Sequence, residues 1–276
     1  MKISFIGGGN MASALIAGLA GKLTAGANIH VVDPNPEALE RLRAHYGVST
    51  AGQIDAGLAG SAVIVLATKP QQMREVAAAL LPMLAGEGGQ GPLIVSIAAG
   101  IRGVDLARWL GGYAAIVRCM PNTPALIGLG ITGLVAMDGV SAAQKTLADD
   151  ILKAVGATVW LAGEELIDPV TAVSGSGPAY VFFFIEAMQQ AAIEMGLSAE
   201  QGTQLALATF VGAAQLAAHS PDPVSVLRER VTSKGGTTYA AITSMEQAGV
   251  KEAIVAAMKA AAARGRELGE QLGADS

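Results

Sequence analysis

The chain has 276 residues, 51% hydrophobic and only 15% charged, with a net charge of -5 and one cysteine, Cys119. That length gives ample material for a core and suits one large or two ordinary domains. An acidic balance without a Lys/Arg cluster excludes a nucleic-acid surface, the single cysteine excludes a disulfide framework or a multi-cysteine zinc site, and no apolar run reaches the ~18 residues of a membrane span.

Charge this far below the usual ~25% points to surface hidden in an oligomer, so the expected partners are a small molecule and further copies of the chain. Lys2 precedes an apolar stretch, but Gly7, Gly8, Gly9 and Asn10 interrupt it where a signal peptide needs continuity. The expected location is the cytoplasm.

The first predicted strand, Ile3 to Ile6, runs into Gly7-Gly8-Gly9-Asn10-Met11-Ala12 and a helix to about Ala20. This is G-x-G-x-x-A in strand-turn-helix context, which lets backbone approach a pyrophosphate whose charge rests on free helix N-terminal amides. A second strand, Ile29 to Val32, ends in Asp33 at about the 20-residue offset of a ribose-binding acid. Gly7, Gly9, Asn10, Met11 and Asp33 are therefore candidate dinucleotide ligands; the competing reading is a glycine-rich turn without a ligand.

Further strands are predicted at Val63 to Ala67, Leu93 to Ser96, Ala115 to Arg118, Gly133 to Met137 and Thr158 to Leu161. Helices fall between them at Pro36 to Tyr46, Gln71 to Leu84, Val104 to Leu110 and Ser141 to Val155. The alternation predicts an α/β fold: a Rossmann-type doubly wound sheet over residues 1–162, with later strands antiparallel at one edge. Beyond Glu164 only helical patterns remain, at Pro178 to Met195, from the Ser198 capping box to about Ala218, and at Pro223 to Arg230, Thr237 to Gln247 and Lys251 to Leu272. The helix from Pro178 is apolar almost all round and the next carries many Ala and Gly, so residues 163–276 read as an all-α dimerisation and substrate-binding domain.

Ligands of such sheets sit beyond the carboxyl ends of strands. That places Ala67-Thr68-Lys69-Pro70 and Ala98-Ala99-Gly100 beside a cofactor, with Lys69 either meeting it or simply solvated. Asn122, in the rigid Met120-Pro121-Asn122-Thr123-Pro124 turn, offers an amide to the same ligand, although turn chemistry alone also explains it. Two Gly- and hydroxyl-rich segments precede helices, Ser174-Gly175-Ser176-Gly177 and Ser233-Lys234-Gly235-Gly236-Thr237-Thr238; the second is a ready site for a substrate carboxylate. His30, His45 and His219 are the only histidines, and none is well placed as a proton relay. Hydride transfer to a C=N bond suits such a site better than oxidation of an alcohol, which needs a base.

The blocks FIGGGNMA, LATKPQ, SIAAGI, RCMPNTPALIGLGITG, VSGSGPAYVF and VTSKGGTT occur in order along almost the whole chain. Together they resemble pyrroline-5-carboxylate reductase, the last enzyme of proline biosynthesis. The resemblance implies a Rossmann domain, a helical dimerisation domain and a dimer-based assembly up to a decamer. It also implies NADPH or NADH as cofactor, and a cyclic imino acid bound by Ser233, Gly235, Gly236, Thr237 and Thr238, with Thr238 hydrogen-bonded to the ring nitrogen as the catalytic residue. Asp33 sits where the family varies. Two other readings stay open at this point: a β-hydroxyacid dehydrogenase or broad imine reductase, and a non-catalytic nucleotide-sensing dimer.

Overall fold

The structure is a computed structural model and describes residues 1–84 and 91–274. Its sheet comprises β1 (Ile3–Ile6), β2 (Ile29–Val32), β3 (Ser49–Ala51), β4 (Val63–Leu66), β5 (Leu93–Ser96), β6 (Ile116–Met120), β7 (Gly130–Ala136) and β8 (Gly156–Trp160). The spatial order is β3-β2-β1-β4-β5-β6-β7-β8. The first six strands are parallel, β7 pairs antiparallel with β6, and β8 is parallel to β7, so the expected reversed edge is two strands wide.

Among the described residues, five helices accompany the sheet: α1 (Asn10–Leu19), α2 (Pro36–Tyr46), α3 (Met73–Leu84), α4 (Gly103–Trp109) and α5 (Ala142–Lys153). Ile3 and Phe5 of β1 join Leu15 and Ile16 of α1 and Ile151 and Leu152 of α5 in one core. Ile6, one residue on, belongs to the opposite core with Met73, Leu80 and Leu106. Strands covered on both faces read as unbroken apolar runs, which is why β1, β4 and β5 are legible without alternation. β3 has no such run; pairing with β2 makes Ser49-Thr50-Ala51 a strand. Asn35 caps α2, its side chain accepting from the Glu37 and Ala38 amides, with Pro36 at the first helical position.

Cys119 is buried in the first core, and burial pushes its thiol well above the ordinary cysteine range. It is an inert packing residue, as its surroundings in the sequence suggest.

After β8 come α6 (Ile167–Val170) and a π-helical turn, Thr171–Gly175. Then follow α7 (Gly177–Glu194), α8 (Ala199–His219), α9 (Val224–Arg230), α10 (Thr237–Gln247) and α11 (Val250–Gly273). The chain separates into two compact units, Met1–Ser176 with Ala261–Ser276, and Gly177–Ala260. This differs from a division at residue 162. Ile167 and Ala172 are buried in the first unit, Leu272 packs against its second core, and Arg108 donates from Nη2 to the Gly273 carbonyl at 2.7 Å.

Within the second unit, α7 and α8 lie side by side. A Cβ added to Gly202 would sit 3.0 Å from that of Ala192, so glycine permits the close approach. Phe182, Phe183, Val211 and Leu216 are each at least 60% exposed on the single chain. Apolar exposure on this scale marks an association surface.

Candidate active site

The crevice begins where β1 ends. Gly7 has φ +103°, and an added Cβ would lie 2.5 Å from the Ala67 carbonyl oxygen of the strand end alongside, so only glycine lets β1 and β4 close up here. The Gly7 amide donates to the Val32 carbonyl at 2.8 Å and the Ala67 amide to the Ile6 carbonyl at 2.8 Å, which ties three strand ends into one floor. Gly9 is the N-cap of α1, has no side chain to cap the helix, and a Cβ placed on it meets nothing within 4 Å. Gly9 and Asn10 are exposed and Met11 half-buried.

Asp33 stands behind this turn. Its Oδ2 accepts from the Gly8 amide at 2.6 Å and its Oδ1 from the Asn35 amide at 2.8 Å. The carboxylate therefore braces the glycine turn, while the cap of α2 is Asn35. Beside it a cavity of about 350 Å³ opens between the ends of β1, β2 and β4, lined among others by Gly7, Pro34, Thr68, Gln72 and Glu75. Thr68 Oγ1 is buried there without a hydrogen-bond partner. Unfilled space before Gly9, an uncapped helix and an orphaned hydroxyl in the adjoining cavity are what a bound dinucleotide would complete, so the residues fit that group.

The other expected cofactor residues differ in what they offer. Lys69 is exposed and Pro70 opens a short 3-10 turn. Ala98 is buried and Ala99 exposed. Gly100, at φ +76°, lies under α11, where an added Cβ would come 3.0 Å from Leu272 Cδ1. Asn122 is turned inward: Nδ2 donates to the Ser174 carbonyl at 3.2 Å and Oδ1 accepts from the Ile131 amide at 2.9 Å. Its side chain joins the ends of three segments, a correction to the amide expected to face a ligand; any contact from this position falls to backbone. The Ser174 hydroxyl is likewise spent, on the Val170 carbonyl at 3.0 Å.

In the second unit, Gly235 takes φ +75° and Gly236 forms the N-cap of α10 with no side-chain cap. The Gly236 amide donates to the Ser233 carbonyl at 2.9 Å, folding the loop back under the helix start. The Thr232 hydroxyl is consumed by the Arg228 carbonyl at 2.6 Å. Ser233, Thr237 and Thr238 have hydroxyls without a partner among the described residues, with Thr238 half-buried and the other two exposed. Free helix-terminal amides and three available hydroxyls form a compact set of donors for a small anion.

The histidines are structural. His30 bridges Ser49 Oγ at 2.9 Å and Asp55 Oδ1 at 3.0 Å; His45 and His219 each bond a carbonyl four residues back in their own helix.

A pyrroline-5-carboxylate reductase of Pseudomonas aeruginosa is 46% identical to this chain over 272 residues, spanning 99% of the chain and 98% of the relative. The chain belongs to the pyrroline-5-carboxylate reductase family. Residues 164–268 match the family pattern described as pyrroline-5-carboxylate reductase dimerisation, and residues 2–100 match that described as NADP oxidoreductase coenzyme F420-dependent. The solved pyrroline-5-carboxylate reductase of Coxiella burnetii superposes with a TM-score of 0.91 at 39% identity, covering 97% of this chain and 98% of that one. A Plasmodium falciparum pyrroline carboxylate reductase solved with NADP bound gives 0.85 at 29% identity, covering 98% of each chain. In this reductase the crevice also draws on residues that the sequence pattern does not mark. Gly52, Gln53 and Ile54 follow the unmarked strand β3, and Gln72 and Glu75 follow Pro70. A clue was available in LATKPQ, whose Pro70 sends the chain into a turn beside the strand ends.

Proposed function

We propose that this chain reduces 1-pyrroline-5-carboxylate to L-proline with NADPH or NADH, the last step of proline biosynthesis, in the cytoplasm. The carrying observation is the set of unspent hydroxyls on Ser233, Thr237 and Thr238 at the uncapped start of α10. When bound, the reduced nicotinamide supplies the hydride for the C=N carbon. The amides of Gly235 and Thr237, with the Ser233 hydroxyl, hold the carboxylate, while the Gly236 amide, spent on the Ser233 carbonyl, keeps the loop folded beneath it. Thr238 hydrogen-bonds the ring nitrogen and fixes the face of the imine that is presented. The work of these residues is orientation, since a protonated imine already accepts hydride well.

For the cofactor, amides at Gly9, Asn10 and Met11 take the pyrophosphate and Gly7 keeps the strand ends close. Asp33 addresses the adenosine ribose, while Ala67, Thr68, Lys69 and Pro70 line the crevice with Ala98, Ala99, Gly100 and the backbone of Asn122. The deciding assay follows oxidation of NADPH and of NADH in the presence of 1-pyrroline-5-carboxylate. Tight cofactor binding with no turnover of the imino acid would sink the reading and favour a nucleotide sensor.

Asp33→Ser is expected to raise the NADPH-to-NADH ratio of kcat/KM about tenfold, or ~1.4 kcal/mol. Each Asp33 oxygen retains acceptor capacity for a ribose hydroxyl, and its negative charge opposes a 2'-phosphate. Steady-state kinetics with both cofactors reads the ratio, and an unmoved ratio would leave Asp33 as the brace of Gly8 alone. The exposed faces of α7 and α8 support self-association, with dimers assembling further towards a decamer. Sedimentation should show a dimer or larger, and a full-length monomer would refute it.

A further inference from the structure

Within the first unit, Arg102, Arg118, Glu164, Glu165, Asp168 and Arg266 line a cavity of about 440 Å³. Every lining residue is ionisable, which the reaction proposed above does not use. Arg118, on β6, is only 4% exposed, and among the described residues its guanidinium makes one hydrogen bond, from Nη1 to Glu164 Oε1 at 2.9 Å. Glu164 Oε1 also accepts from the Gly103 amide. The remaining N–H groups of the Arg118 fork have no partner among the described residues. Ser96, the register partner of Arg118 on β5, is 1% exposed with its hydroxyl unpartnered. A buried guanidinium whose open edge lines a cavity, next to a buried unpartnered hydroxyl, calls for an occupant.

The charges around the cavity indicate what kind. Arg102 reaches Glu270 at 3.5 Å and the Arg266 carbonyl at 3.3 Å, and Glu164 answers Arg118. Arg266, Glu165 and Asp168 line the same space, yet among the described residues they form no ion pair. Opposite charges that share a cavity without touching are complementary to a molecule carrying both. A simple anion would leave the two carboxylates unanswered, and a simple cation would leave Arg266 and the open edge of Arg118 so.

We propose that this cavity binds a small amino-acid zwitterion, its carboxylate on Arg118 and Arg266 and its ammonium on Asp168 and Glu165. The volume lies in the range of small-molecule sites and leaves room for bridging waters. L-Proline has the required chemistry, and its choice as probe rests on the reaction proposed above; the charge argument does not.

The test is equilibrium dialysis of the full chain against L-proline, with acetate and pyrrolidine as single-charge controls, for wild type, Arg266→Gln, Asp168→Asn and Glu165→Gln. Wild type should bind one more proline per chain than either Arg266→Gln or Asp168→Asn, with kcat unchanged in both variants. Thermal melting confirms that each variant is folded, and Glu165→Gln serves if Asp168→Asn is not. Equal stoichiometry in all folded proteins would overturn the proposal and leave a water-filled charge network. Acetate binding that Arg266→Gln abolishes and Asp168→Asn leaves untouched would also overturn it, in favour of a plain anion site. Should the chain fail to turn over 1-pyrroline-5-carboxylate, the proposed reaction falls, while the difference of one bound proline still decides the cavity.

Discussion

Gly9→Val is expected to weaken binding of NADPH and NADH by roughly a hundredfold or more, about 2.7 kcal/mol, in a chain that still folds. The backbone of Gly9, at φ -69° and ψ -174°, is one that any residue adopts, and its Cβ would point into open space. Valine there costs the fold little. Its methyl groups would stand before the first amides of α1, where a pyrophosphate must come to backbone distance. Gly7→Ala makes the contrast, because its Cβ would strike the Ala67 carbonyl at a backbone angle that disfavours side chains. That variant should lose thermal stability as well as affinity. Cofactor fluorescence titration beside thermal melting separates the two, and unchanged affinity in Gly9→Val would remove the pyrophosphate from this turn.

Local chemistry made much of this molecule legible. The glycine turn, the Pro36 start of α2 and the capping box at Ser198 depend on residues within a few positions of one another, and all of them form. Central strands were legible for a related reason, since burial on both faces forces a continuous apolar run. What escaped depends on distant partners. β3 exists because β2 offers it an edge, and Asn122 turns inward because Ile131 and Ser174 complete its hydrogen bonds. Gly100 was legible as a glycine at a strand end, but the packing of Leu272, far along the chain, against it was not. The end of α11 carries the same lesson: nothing in its helical periodicity says that its last turns contact Arg102 and Arg108.

The candidate site divides along the same line. Residue types and order marked both the dinucleotide turn and the start of α10, because each is a local arrangement of amides about a helix terminus. Asp33 was legible as an acid at the end of β2, but its bonds to Gly8 and Asn35 were not. The charged cavity was invisible, since β6, α6 and α11 each bring part of it. Arg118 alone reads as a strand residue before a proline turn; only burial with an unfilled fork makes it a candidate ligand.

Thr238→Ala should lower kcat by tenfold to a hundredfold, with a smaller change in cofactor affinity. The proposal gives its hydroxyl one task, holding the ring nitrogen so that the C=N carbon presents a fixed face to the hydride, and such a contact matters most in the transition state. The loss corresponds to ~1.4 to 3 kcal/mol, the range for one well-placed hydrogen bond in a reacting complex. The helix should survive, because Gly236 supplies no side-chain cap and the Thr238 hydroxyl has no partner among the described residues to forfeit. Ser233→Ala provides the internal control: a hydroxyl that only grips the carboxylate binds ground state and transition state alike, so its removal should raise KM for the imino acid and leave kcat close to wild type. Steady-state rates for the two variants, at saturating cofactor, give the comparison. If Thr238→Ala turns over as wild type does, that hydroxyl contributes nothing to imine orientation, and the task passes to the Thr237 hydroxyl.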